Sequence, residues 1–120
     1  MPTFRQEASG TFSAAVGGCY HCGPNHESPK NFDYRVYVEY GDKALDSKGF
    51  LSDNLAFDEY FGSLPLVTDS CELMAQKAAC FFWRQLMGRC KLVEVTIWGL
   101  KQKAVTFVLD CDPEVLGEAA

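Results

Sequence analysis

Long apolar runs are absent from this sequence, and so are clusters of basic residues. No apolar stretch approaches the roughly 18 to 20 residues that a membrane-spanning helix needs, so no such span is expected. Lys30, Lys43, Lys48, Lys77, Lys91, Lys101 and Lys103 are scattered among acids, and the formal net charge is −5. A phosphate-backbone partner would need clustered Lys and Arg, which sets nucleic acid and anionic membrane surfaces aside as partners. No repeat at a solenoid period is present, which excludes a stacked-repeat architecture. The first ten residues are polar and alternating, without the charged-then-apolar layout of a secretion signal.

What is present suits one small domain. The chain has 120 residues, the usual size of a single folding unit, with 48% hydrophobic and 13% aromatic content, which argues against disorder. The cysteines are Cys19, Cys22, Cys71, Cys80, Cys90 and Cys111. An even number in a secreted chain would suggest disulfides. Cys71 and Cys80 fall inside an apolar helical pattern, however, where a free thiol acts as a small hydrophobe. A reducing cytoplasm is the simpler expectation.

The pattern along the chain alternates between two periods. From Thr3 to Ala15 the residues Phe4, Gln6, Ala8, Gly10 and Phe12 share one side of an expected strand, with Gly10 as a candidate bulge. Gly17 to Pro29 reads as a loop. Phe32, Tyr34, Val36, Val38 and Tyr40 then alternate with Asp33, Arg35, Tyr37 and Glu39, the mark of a half-buried antiparallel strand. Asp53 can cap a short helix to about Phe61, and Gly62 to Val67 reads as a link. A second helix is predicted from Asp69, paired with Glu72 in a capping box. Its apolar positions are Cys71, Ala75, Ala78, Phe82 and Leu86, and Phe81-Phe82-Trp83 predicts burial on more than one side. Leu92 to Trp98 and Ala104 to Cys111 are two strands joined as a hairpin.

The expected order is therefore β-β-α-α-β-β. It predicts an α+β fold, a four-stranded antiparallel sheet with two helices on one face. The domain is expected over residues 1–112, with 113–120 as a polar tail that frays. The other sheet face is expected to carry Tyr37, Val93 and Val95, depending on register, and to be covered by another subunit.

Five segments lying in order support a closer likeness. Phe12-Ser13-Ala14-Ala15 is similar to a Phe-x-Ala-Ala/Ser-His opening strand. Tyr34-Arg35-Val36-Tyr37-Val38 resembles a strand that follows a His-Gly-His motif. Gly49-Phe50-Leu51-Ser52-Asp53 is similar to Gly-x-Val-x-Asp at a helix entrance. Ser70-Cys71-Glu72-Leu73-Met74-Ala75 is similar to a Thr-Ser-Glu-Asn-Leu-Ala helix start, and Val93-Glu94-Val95 resembles the strand before a Glu-Thr pair. Together they resemble the 6-pyruvoyl- and 6-carboxy-tetrahydropterin synthase family, whose architecture is the tunnelling fold. The resemblance runs over most of residues 4–109.

The family's chemistry does not carry over with the likeness. The resemblance implies a zinc ion held by three histidines, but those places hold Val16, Lys30 and Phe32. Val and Phe cannot ligate, and Lys is a poor zinc ligand at neutral pH. The pterin-anchoring Glu of the family aligns with Ile97, which cannot make paired hydrogen bonds. The segment from Gly62 to Val67 is too short to hold the Asp-His pair that completes the family's catalytic triad.

The clustered soft ligands lie in the first loop, as Cys19-Tyr20-His21-Cys22 followed by His26. If a metal such as zinc binds, Cys19, Cys22 and His26 are the expected ligands, with His21 able to close the shell. A single Cys-x-x-Cys without a second pair is a weak signal, and the plainer reading is a polar loop with free thiols. Cys22-Gly23 also fits loosely where the resemblance implies a nucleophilic Cys, although no partner to activate it is evident. Glu72 matches the family's helix-start Glu near its pocket, against a plain capping role.

Cys22 and Glu72 are therefore the candidate ligand-binding residues. The expectation is a divergent tunnelling-fold protein without synthase activity. It would bind a small pterin- or purine-like molecule, or act as a structural homo-oligomer built by edge-strand pairing. The competing expectation is an enzyme working in an intersubunit cleft through Cys22, His21, His26 and Glu72. A plain α+β interaction module is the third.

Overall fold

Alternation of apolar and polar residues builds the sheet, and its register decides which set is buried. In the computed structural model, residues 3–16, 30–51, 54–64, 67–68, 70–99 and 104–116 are described. The chain forms β1 (Arg5–Val16), β2 (Lys30–Tyr40), α1 (Asn54–Gly62), β3 (Val67–Thr68), α2 (Cys71–Gln85), β4 (Cys90–Gly99) and β5 (Val105–Leu109), followed by a 3-10 turn at Pro113–Leu116. The sheet order is β3-β1-β2-β4-β5. The four long strands are antiparallel neighbours, so the expected α+β class and four-stranded antiparallel sheet are present. Departing from the expected β-β-α-α-β-β order, the link between the helices contributes a fifth strand, β3, parallel to the end of β1 through Ala15 and Val16. Two residues are too few to show a period-2 pattern.

One sheet face carries the core. Phe12, Ala14, Phe32, Tyr34, Val36, Val38, Tyr40, Val93, Val95, Ile97 and Leu109 are all buried in one cluster with Phe57 and Phe61 of α1 and the apolar side of α2. Val36 lies opposite Val95, and Val38 opposite Val93. Val93 and Val95 therefore face the helices, contrary to the expectation that they line the other side. Side chains of one strand pair share a face only when their positions are directly opposed, and the sequence does not state that pairing. The opposite face is mostly polar: Glu7, Arg35, Tyr37, Glu39, Glu94 and Thr96 border a shallow concavity of about 330 Å³.

Both helices sit where their buried residues require. On α2, Cys71, Ala75, Ala78 and Phe82 are buried as the 3.6-residue period predicts, and Leu86 follows them just beyond the helix. Its N-cap is Ser70, whose hydroxyl accepts from the Leu73 amide at 3.2 Å. This corrects the expected Asp69–Glu72 box: with the cap at Ser70, Glu72 is the second helical residue and cannot reach back as the reciprocal partner. Phe81 is 40% exposed, so the expected burial on several sides does not hold for it. Gly10 makes no bulge, since β1 and β2 pair without interruption from Arg5 to Ala14; the irregularity lies between Glu39 and Tyr40 of β2 instead. Within the segment expected to fray, Pro113 is fully buried and Glu114 lies 3.9 Å from Arg84.

Candidate functional site

The β1–β2 register brings the three positions that the resemblance assigns to zinc into one neighbourhood. Lys30 is opposite Ala14 and Phe32 opposite Phe12, so Val16, Lys30 and Phe32 occupy the same end of one strand pair. Phe32 is 1% exposed and stacks on Phe12, with ring centroids 5.6 Å apart and an interplanar angle of 24°. Phe61 of α1 closes the cluster, 5.1 Å from Phe12 and 4.0 Å from Tyr34. Aromatic rings in offset or tilted contact stabilise a core beyond their area alone. They offer no lone pairs to a cation of the zinc type. The donor set at these positions does not fit a zinc ion, and the aromatic cluster occupies the space beside it.

Beside this cluster sits a polar contact that the sequence did not announce. The Tyr34 hydroxyl donates to Asp58 on the exposed side of α1. Burial, reinforced by that hydrogen bond and by the Asp58 charge, pushes the Tyr34 phenol well above its ordinary value. Tyr34 therefore stays a protonated donor across the physiological range, holding α1 to the sheet. Gly10 makes room for the pair, because a Cβ there would lie 2.8 Å from both the Tyr34 ring and Asp58 Oδ1.

No protein-family model and no curated protein matches the chain.

The other candidate positions divide in two. Cys19, His21, Cys22 and His26 lie outside the described residues, as does Asp53. Glu72 is exposed in the first turn of α2, where a carboxylate is favoured by the helix dipole. Ile97 is fully buried between Tyr34 and Val105 in the sheet register, so its place in the core matches its chemistry. Among the described residues no group of three His, Cys, Asp or Glu side chains could hold a metal ion. Cys71, Cys80 and Cys90 are buried, and burial pushes the Cys90 thiol up to about 11.

Sequence reasoning missed the groove on the outer side of the helices. It measures about 720 Å³ and runs between α1, α2 and the loop that follows β2. Arg89 fixes that loop. Its guanidinium donates to the carbonyls of Leu51 at 2.6 Å, Ala44 at 2.9 Å and Phe50 at 3.3 Å, and its Nε to that of Leu86 at 3.3 Å. Asp46 folds the tip, accepting from the amides of Lys48 at 2.8 Å and Phe50 at 2.9 Å. A lone Arg after a helix and an Asp-x-Lys-Gly turn were visible in the sequence, but nothing in it says that they meet the same loop. Among the described residues no helix is long and apolar enough to cross a membrane.

Proposed function

We propose that this chain is a divergent tunnelling-fold relative of the 6-pyruvoyl- and 6-carboxy-tetrahydropterin synthases, one that assembles with copies of itself and binds a small pterin- or purine-like molecule without synthase activity. The observation that carries the reading is the Phe12–Phe32–Tyr34–Phe61 cluster beside the positions where the family's zinc would be held. A metal-dependent reaction cannot run on that donor set, since the Lewis acid supplies several kcal/mol of the catalysis. The likeness in motif sequence remains after the metal chemistry is gone, and the α+β class with a four-stranded antiparallel sheet is compatible with it. Ligand binding without turnover is the function that fits both.

Assembly has its own support. β5 pairs only with β4, and β1 pairs beyond β2 only through Ala15 and Val16, which leaves most of two outer edges without a partner strand among the described residues. Unpaired edges invite strand addition, and a C-n ring is closed by pairing one edge with the other. Glu72, exposed at the start of α2, and Cys22 are the residues proposed to meet the ligand. Any metal would bind through Cys19, Cys22 and His26 in the first loop, not on the sheet.

Four measurements on the full chain test this reading. Light scattering at micromolar concentration should give a multimer; a monomer would remove the assembly. Incubation with dihydroneopterin triphosphate and zinc should give no turnover, and zinc-dependent turnover abolished by Cys22→Ser would show the alignment to be wrong. Titration with a pterin should give saturable binding weakened by Glu72→Gln. Metal content should be either nil or lost together in Cys19→Ser and Cys22→Ser.

A further inference from the structure

We infer that the groove on the outer side of the helices is a binding site for a small organic cation with an apolar body. The inference is independent of the pterin-type reading, because the groove lies on the helix side and away from the strand edges. Its volume of about 720 Å³ lies within the roughly 300 to 1,000 Å³ of small-molecule pockets. Phe57 and Phe82 form the base, both nearly fully buried and edge-on to each other at 4.7 Å. Tyr60 and Phe81 form the wall, with ring centroids 4.7 Å apart and an interplanar angle of 32°. Tyr60 is half-buried and Phe81 is 40% exposed. An aromatic ring presents a negative face, and a cation over it is attracted by the ring quadrupole.

The charged groups around the groove select the sign of the ligand. Asp46 and Glu59 are exposed carboxylates, and Arg89 is the one cation among the described lining residues. Nε and Nη1 of the Arg89 guanidinium already donate to four backbone carbonyls, which leaves Nη2 alone and no two-nitrogen fork to clamp a ligand carboxylate. Two acids against one engaged base leave the groove anionic, in a chain whose formal net charge is −5. An anionic ligand would meet carboxylates at the rim. A substituted ammonium would meet both them and the ring faces.

Benzyltrimethylammonium is the probe, and 3-phenylpropionate is the anion of similar apolar body. Tyr60 and Phe81 ring resonances should shift saturably with the cation and not with the anion. Phe81→Leu and Glu59→Gln, both at exposed positions, should each weaken binding about fivefold, the size expected of one partly desolvated cation–π or charge contact, with thermal melting unchanged. The proposal is overturned if the cation gives no saturable shift, or if the anion binds as tightly. Unchanged affinity in both variants would overturn it as well. Ring resonances that move on dilution of the protein alone would place a second copy in the groove, with the same consequence.

Discussion

Gly10 and Tyr34 lie directly opposite each other on β1 and β2, and the missing side chain of the first is filled by the hydroxyl end of the second. That contact is what lets Tyr34 reach Asp58 on α1. The first prediction follows from it. Gly10→Ala places a methyl group 2.8 Å from the Tyr34 ring and from Asp58 Oδ1, so the pair must move. Overpacking of this kind costs about 1 to 3 kcal/mol, and the urea midpoint should fall accordingly. Tyr34→Phe removes only the hydrogen bond and should cost less, about 0.5 to 1.5 kcal/mol. An unchanged midpoint in Gly10→Ala would show that the close approach is absent in solution.

Arg89 should behave as a structural residue of the loop after β2. Arg89→Ala removes the four hydrogen bonds that Nε and Nη1 make to the carbonyls of Ala44, Phe50, Leu51 and Leu86 and should cost about 1 to 3 kcal/mol. Lysine keeps the charge but lacks the planar fork, so Arg89→Lys should recover only part of the loss. Thermal melting reads the cost. Faster hydrogen exchange at Gly49 and Phe50, whose amides are bonded within the loop, would localise it.

Acid should loosen the same loop through one group. The amide of Phe50, then that of Lys48, holds the Asp46 carboxyl below its ordinary 3.8, with a smaller contribution from the Arg89 charge. A depressed folded value means that the stabilising contribution is complete above 3.8 and disappears as the pH falls through the lower folded value. NMR shifts of the Lys48 and Phe50 amides should therefore titrate together below pH 3.8. Asp46→Asn should abolish that titration. A midpoint above 3.8 would contradict the turn geometry.

Alkylation should sort the described thiols by burial. Cys71, Cys80 and Cys90 are buried while Cys111 is half-buried, and only the thiolate reacts. Native protein treated with iodoacetamide at neutral pH should be modified at Cys111 first, as read by peptide mass mapping. Burial raises Cys90 from 9.0 to about 11. A raised folded value stabilises below pH 9 and loses that contribution as the pH climbs toward 11. Cys90→Ala should flatten this alkaline limb, even though the lost side chain lowers stability at every pH.

The edge strands allow association to be separated from folding. Val108 on β5 is 49% exposed on the face opposite the helices. A lysine there adds charge to an outer strand, the device by which edges are kept apart. Val108→Lys should lower the mass seen by light scattering and leave the melting temperature of the single chain nearly unchanged. A multimer of undiminished mass would place the contact elsewhere.

The sequence alone determined the elements with strong periods. The alternation from Phe32 to Tyr40 yields β2 because Phe32, Tyr34, Val36, Val38 and Tyr40 all fall on the buried face. The spacing of Cys71, Ala75, Ala78 and Phe82 yields α2 and its packed side. Such patterns record a local rule, a residue every second or every 3.6 positions, and local rules survive without knowledge of partners. Register is not local. Which face of β4 meets the helices was fixed by Val95 coming opposite Val36. The two-residue β3 exists only because the end of β1 lies alongside it. The same holds for the cap. Asp69, Ser70 and Glu72 all suit a helix start, and only the backbone geometry chose Ser70. Gly10 carries the same lesson: a glycine in a strand is compatible with a bulge or with a close neighbour, and Tyr34, 24 residues distant along the chain, decides between them. The groove and its loop depend on Arg89 meeting carbonyls 38 to 45 positions away, a relationship that tertiary folding creates and no window of sequence contains.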